Sequence, residues 1–154
     1  MADAAAFPEA DERQRWMSVL ARASGADIAE RLAAFGALPA YTRLRGPEAG
    51  LVMVRGRIGG SGGAFNLGEM TVTRCTVRIA SGLVGHAYVA GRDARQAELA
   101  ALLDAMLQDP DEAPALQADI IQPLAAAQQQ QRDATAAKAA ATQVQFFAMQ
   151  NMRT

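Results

Sequence analysis

The sequence predicts an α+β fold with an N-terminal helical hairpin, an antiparallel β-meander sheet, C-terminal helices and a terminal strand. Three observations support this fold class. Apolar residues recur at helical spacing near both ends of the chain, and they alternate with period two in the middle. Only short turns separate the successive strands, and such turns join antiparallel strands, whereas parallel strands need long crossover connections.

Two apolar stripes predict the N-terminal helices. Within residues 11–23, Trp16 and Leu20 lie about one turn apart on the same side of a helix. Ser24 is a typical N-cap for a second helix, and Asp27 three residues later completes a variant of the capping box. The second stripe consists of Ile28, Leu32 and Phe35, and the helix is expected to end at Gly36.

Alternating residues predict a sheet of about four strands. The period changes to two at residues 41–45, and the turn residues Gly46, Pro47 and Gly50 separate this segment from a strand at 51–58. Further strands are expected within 66–80 and at 86–91. In the former, the face predicted to meet the core carries Thr73, Cys75, Val77 and Ile79. The opposite face carries Val72, Arg74, Thr76 and Arg78.

The C-terminal part is predicted to be helical up to a last strand. Asp93 caps a helix whose core-facing stripe consists of Leu99, Leu102, Leu103 and Met106. An acidic loop at 108–114 precedes an alanine-rich helix with Pro123 in its first turn. Residues 144–149 form the terminal strand, on which the adjacent Phe146 and Phe147 face opposite sides. One phenylalanine can pack on the core while the other contacts a partner; in the alternative, both face this domain.

Length and composition indicate one soluble domain. We expect residues 1–10 of the 154 to be a flexible N-terminus and residues 11–154 to form a single domain. The net charge of −1 gives no general argument for a nucleic-acid or membrane partner. The N-terminus does not resemble a secretory signal, and no apolar run reaches the roughly 18 residues of a membrane span. With a single cysteine and no internal disulfide, a cytoplasmic location is expected.

A glycine-rich loop precedes the strand within 66–80. It contains Gly59, Gly60, Gly62 and Gly63. A Walker A loop needs a lysine followed by serine or threonine at the start of a helix, and a dinucleotide fingerprint also leads into a helix. This loop has no lysine and leads into a strand. We therefore predict a mobile connection between strands, which could become ordered on a ligand or partner.

Arginines are concentrated in the middle of the chain. Between Arg43 and Arg92 there are seven arginines and two acidic residues, a local net charge of +5. Arg74 and Arg78 share one strand face, and Arg92 lies beside the N-terminus of a helix. Guanidinium groups bind phosphate and carboxylate in a fixed geometry, so these three are candidates for binding an anion or a partner. The alternative is that they are solvated or form ion pairs within the chain.

The residues needed for catalysis are scarce. One histidine, His86, and one cysteine, Cys75, cannot build a transition-metal site or an intrinsic nucleophile–histidine set, so we assign no catalytic and no metal-binding residue. The sequence favours binding and assembly over independent catalysis. An independent phosphate- or RNA-binding module is the alternative, although no aromatic residues are interleaved with the arginines.

Four blocks in order resemble the PhnG family, the G subunit of bacterial carbon–phosphorus lyase. They are RQRWMSVLA near the start, GLVMVRGRIGGSGGAFNLGEMTVTRCTVRI in the middle, GRDARQAELAALLDAML after it and VQFFAM at the end. The resemblance extends from about Arg13 to Met149. No single block is a chemical signature; the order, the spacing and the chain length together make the match specific.

The resemblance implies a cytoplasmic subunit of a complex in phosphonate catabolism. Its partners would be the H, I and J subunits, with the ABC-type K and L proteins as further candidates. The family system converts ATP and methylphosphonate to α-D-ribose 1-methylphosphonate 5-triphosphate and adenine; the I subunit is the nucleosidase, and the radical step with S-adenosylmethionine belongs to J. ATP with magnesium would be a substrate of the complex, and this chain would bind no cofactor alone. The resemblance fixes no catalytic residue in G.

Overall fold

A computed structural model describes residues 10–57 and 62–144. Two helices come first, α1 (Ala10–Arg22) and α2 (Gly25–Phe35), followed by strands β1 (Tyr41–Gly56), β2 (Phe65–Ile79) and β3 (Val84–Ala90). The three strands form an antiparallel sheet in the order β1-β2-β3. Helix α3 (Ala94–Met106) then precedes a C-terminal helical segment. The predicted α+β class and the antiparallel meander are confirmed.

Helix α3 lies at the centre of the molecule. Nine of its thirteen residues are buried, because β2, β3, α1 and α2 all pack against it. Gly85 on β3 makes the closest approach: a Cβ atom there would overlap the backbone carbonyl of Ala101 and the backbone nitrogen of Ala105. The predicted apolar stripe of α3 is buried, except for the partly exposed Leu99. Alanines on the other sides let the neighbouring elements approach closely.

The predicted turn at Gly46, Pro47 and Gly50 is wrong. β1 is one strand of sixteen residues that passes through all three, so the described residues contain three strands rather than about four. The pairing of β1 with β2 shifts register between Arg43 and Arg45 and again between Arg45 and Glu48. Such bulges, on a strand at the edge of the sheet, are where proline is tolerated without a break in pairing.

The C-terminal helix begins earlier than predicted. Helix α4 (Ala113–Leu116) starts within the expected acidic loop, and a π-helical turn (Gln117–Ile121) leads directly into α5 (Gln122–Ala141). The N–H of Gln122 donates to the carbonyl of Gln117, five residues back. Pro123 follows in the first turn of α5, as predicted, where its missing N–H costs little. Residues 145–149 of the predicted terminal strand lie outside the described residues.

The carboxylate of Asp104 joins three elements. Its side chain is fully buried in α3 and accepts two hydrogen bonds from Arg13 of α1, Nε to Oδ1 at 3.1 Å and Nη2 to Oδ2 at 2.7 Å. The indole N–H of Trp16 donates to Oδ1 at 2.9 Å, and the backbone N–H of His86 donates to Oδ2 at 2.8 Å. Four donors thus satisfy a carboxylate that has no contact with water, and they fix α1 and β3 against α3.

We expect Asp104→Asn to lower the free energy of unfolding by about 2–4 kcal/mol, because the amide replaces one acceptor oxygen with a donor and leaves Arg13 without its counterion. Chemical denaturation followed by circular dichroism measures the change. The control Asp119→Asn makes the same substitution at an exposed position and should stay within about 0.5 kcal/mol of the wild type. Equal stabilities of the two variants would contradict the role of Asp104.

Glu98 anchors the start of β1 to α3. Its Oε1 accepts from the Tyr41 hydroxyl at 2.8 Å and from Nε of Arg43 at 2.7 Å, and its Oε2 accepts from Nη2 of Arg43 at 3.0 Å. The hydrogen bonds from Arg43, assisted by the one from Tyr41, lower the pKa of Glu98 although burial opposes the change. The same bond to Glu98 raises the pKa of Tyr41.

A lowered pKa in the folded state means that ionised Glu98 stabilises the protein above its unfolded pKa, about 4.3, and that this contribution is lost as the pH falls through the folded pKa. At pH 7 we expect Glu98→Gln to cost about 1 kcal/mol, a modest value because the Arg43 side chain is 57% exposed. Denaturation curves from pH 7 to pH 3 should show the difference from wild type shrinking below about pH 4. The exposed control Glu30→Gln should show neither effect; a difference that grows in acid would refute this account.

Candidate functional site

One face of the sheet is uncovered by any described element. Helix α3 packs on the face that carries Cys75, Val77 and Ile79, which are buried as predicted, together with Thr73. The opposite face is polar and basic over the three-stranded part of the sheet. Pairing across the strands places Arg45, Glu48, Arg74, Thr76, Arg78, His86 and Tyr88 on it. We call these residues the open face. Val72 also lies on this side but is buried.

Arg74 is held by a carboxylate of its own chain. Its Nε lies 2.7 Å from Oε1 of Glu48, which also forms an ion pair with Arg45. Burial raises the pKa of Glu48, but the hydrogen bond from Arg74 and the charges of both arginines outweigh it and lower that pKa. The trio carries one net positive charge. Both guanidinium groups in it are paired with Glu48.

Arg78 and Arg92 lie apart from this trio and from each other. Arg78 is four residues beyond Arg74 on β2, a separation of about 13 Å along the strand, and it pairs with Val84 rather than Tyr88. Arg92 is in the exposed turn between β3 and α3, at the other end of the three-stranded part of the sheet. Neither residue forms an ion pair within residues 10–57 and 62–144. The three predicted arginines therefore do not surround one point; they are spread along the three-stranded part of the sheet.

Helix α3 begins as predicted beside Arg92. Asp93 adopts an extended backbone, and its Oδ1 accepts from the backbone N–H of Gln96 at 2.9 Å. The side-chain amide of Gln96 donates to the carbonyl of Ala23 at 2.6 Å, just beyond the end of α1. These contacts fix the turn that contains Arg92 against the helical layer.

The cysteine and the histidine, the residue types best suited to act as nucleophile and base, lie on opposite faces of the sheet. Cys75 is buried on the α3 side, and burial raises the pKa of its thiol, which donates to the carbonyl of Arg45 at 3.4 Å. His86 is exposed on the open face, where Nδ1 lies 3.1 Å from Oγ1 of Thr76. Among the described residues, no group of three potential metal ligands is present. The site can bind by charge and hydrogen bonding, and it brings no nucleophile and base together.

The other predicted sites are only partly described. Gly62 and Gly63 belong to the connection between β1 and β2, so the glycine loop joins antiparallel strands and does not lead into a helix. Gly59 and Gly60 lie outside the described residues, as do Phe146 and Phe147. The helices in the described part of the chain include none that is long and apolar enough to cross a membrane.

Sequence reasoning missed Asp104 and Glu48. Asp104 interrupts the apolar run of α3, and a buried Trp16 needs a hydrogen-bond acceptor, so the two together were a usable signal. Glu48 gave no such signal, because its pairing with Arg74 depends on the register of a bulged strand.

Comparison with known proteins identifies the family. The family model described as "Phosphonate metabolism protein PhnG" matches residues 11–152. One relative, the α-D-ribose 1-methylphosphonate 5-triphosphate synthase subunit PhnG of Rhizobium meliloti (strain 1021), is 42% identical over 138 residues. The alignment covers 90% of this chain and 88% of the relative. This chain belongs to the PhnG family of phosphonate metabolism proteins.

Proposed function

We propose that the chain is a subunit of α-D-ribose 1-methylphosphonate 5-triphosphate synthase, required for converting ATP and methylphosphonate to that product and adenine. The observation that carries the proposal is the similarity to the Rhizobium meliloti subunit along nearly the whole length of both chains. An independent phosphate- or RNA-binding module receives no support from the comparisons. In this proposal the chain acts in the cytoplasm with H, I and J subunits and supports the I subunit, which carries the chemistry; the ABC-type K and L proteins are further candidate partners.

The geometry of the open face supports a binding role. Its charged groups lie on a rigid sheet, and the described residues of the chain hold no set of groups for nucleophilic or metal-assisted catalysis. ATP with magnesium is then a substrate of the whole complex, and this chain supplies no cofactor.

The three arginines have different roles in this proposal. Arg74 keeps the sheet surface ordered through Glu48, whereas Arg78 and Arg92 have guanidinium groups available for an anionic phosphate or a partner carboxylate. Because they lie at opposite ends of the three-stranded part of the sheet, one of them can contact the substrate while the other contacts a partner subunit.

Co-expression tests the proposal as a whole. We expect the tagged chain, expressed with the H, I and J proteins of its own host, to elute with them in size exclusion. Omitting this chain should abolish adenine release from ATP plus methylphosphonate. Separate elution together with unchanged adenine release would contradict the assignment as a subunit. ATP and RNA binding by the chain alone would then be measured.

Charge reversal tests the arginines. We expect Arg78→Glu or Arg92→Glu to lower adenine release or complex formation by about tenfold, the loss of one charge-assisted hydrogen bond. Arg15→Glu is the matched control, since Arg15 is exposed on α1 and away from the open face. A variant that assembles and releases adenine like the control removes its arginine from the candidates. Unchanged thermal unfolding of each variant would show that the fold is intact.

A further inference from the structure

Beyond the open face, β1 and β2 continue as a two-stranded ribbon. β3 pairs with β2 only from Val72 to Arg78, whereas β1 and β2 remain paired as far as Gly56 and Phe65. We call residues 51–56 and 65–71 the hairpin arm. It extends about 20 Å past the last pair of β3. None of its side chains belongs to the core.

The hairpin arm exposes large apolar side chains. It contains half of the ten exposed large apolar residues among those described, namely Leu51, Met53, Phe65, Leu67 and Met70. Leu51 is 63% exposed and Leu67 is 61% exposed, at positions where a sheet covered by helices would bury them. A lone two-stranded hairpin has marginal stability in water, and contiguous exposed apolar surface marks interaction sites. The arm therefore has the properties of an interaction surface.

Both faces of the hairpin arm carry exposed apolar side chains. Leu51 pairs with Thr71 and Met53 with Glu69, which places both on the face that continues the α3 side of the sheet. Met70 pairs with Val52 on the opposite face, which continues the open face. A flat surface could cover only one of these faces. A partner that covers both must surround the arm, as a groove or cleft does.

The positive charge of the arm and the open face argues against a second copy of this chain as the partner. Arg55 lies near the tip of the arm, Arg57 follows the end of its first strand, and the one acidic residue of the arm is Glu69. The adjoining open face adds the net positive trio around Glu48 together with Arg78. Packing two such arms together, or an arm on the open face of another copy, would bring arginines against arginines. An apolar groove with carboxylates near Arg55 and Arg57 complements the arm in both respects.

We propose that the hairpin arm inserts into an apolar, acid-rimmed groove on a different protein subunit and is the main anchor of this chain in its complex. The inference rests on the proposed function, since it needs a partner subunit. It adds the segment that docks and the shape and charge of the surface that receives it.

Three variants test the arm with the full chain co-expressed with the H, I and J proteins. Leu51→Thr and Met53→Thr alter one face of the arm, Met70→Thr alters the other, and threonine keeps a high strand propensity. Leu38→Thr is the matched control, because Leu38 is 41% exposed but lies outside the sheet. We expect each arm variant to bind the complex about tenfold more weakly than the control. Hydrogen exchange at 51–56 and 65–71 should slow on assembly.

The outcomes separate this inference from the proposed function. If the wild-type chain assembles and the arm variants assemble equally well, the arm is not the anchor, although the subunit assignment stands. If only the Leu51 and Met53 variants weaken binding, the partner covers one face of the arm, which contradicts the proposal of a groove. If the purified chain is a dimer that the arm variants dissociate, the arm binds a second copy instead. A wild-type chain that never joins the complex overturns both proposals, and unchanged thermal unfolding excludes misfolding as the cause of any loss.

Discussion

The buried carboxylate of Asp104 is the constraint on which the rest of the structure depends. A fully buried anion is costly unless its oxygens are satisfied, and here Arg13, Trp16 and the backbone of His86 supply the donors. These donors come from α1 and from β3, so the carboxylate is satisfied only when the helix, the strand and α3 are assembled together. Apolar packing brings the layers together, and the directional bonds to Asp104 determine their relative positions.

The same contacts cover one edge of the sheet, whereas other parts of the sheet remain exposed. At the outer edge of β3, the N–H of His86 bonds to Asp104 of α3, and the carbonyl of Val84 accepts from the side chain of Gln108, just after α3, so this edge is covered. The open face and the hairpin arm have no such cover among the described elements. This asymmetry is consistent with the proposed role of the chain within a complex. A subunit can expose surface that a free-standing domain would have to bury.

Sequence reasoning succeeded where the deciding forces are local. Apolar stripes placed α1, α2 and α3, and the caps Ser24 and Asp93 form the hydrogen bonds expected of them. It failed at Pro47, which was expected to mark a turn, and it missed the helical turns that precede Pro123. Proline removes one N–H donor, but a bulge on an edge strand needs no donor at that position, so β1 continues through Pro47.

What the sequence by itself determined is the α+β class, the alternation that buries one face of β2, the concentration of arginine in the sheet and the blocks shared with the PhnG family. These features follow from residue spacing, which is a local property, and from composition, which is a property of the whole chain. Only the tertiary structure decided that Glu48 holds Arg74, that Arg78 and Arg92 lie far apart, and that β1 and β2 extend beyond β3 as an apolar arm. Strand register and strand length decide these features. Both are set by bulges and by the packing of α3 on the sheet, which couple residues distant in the chain.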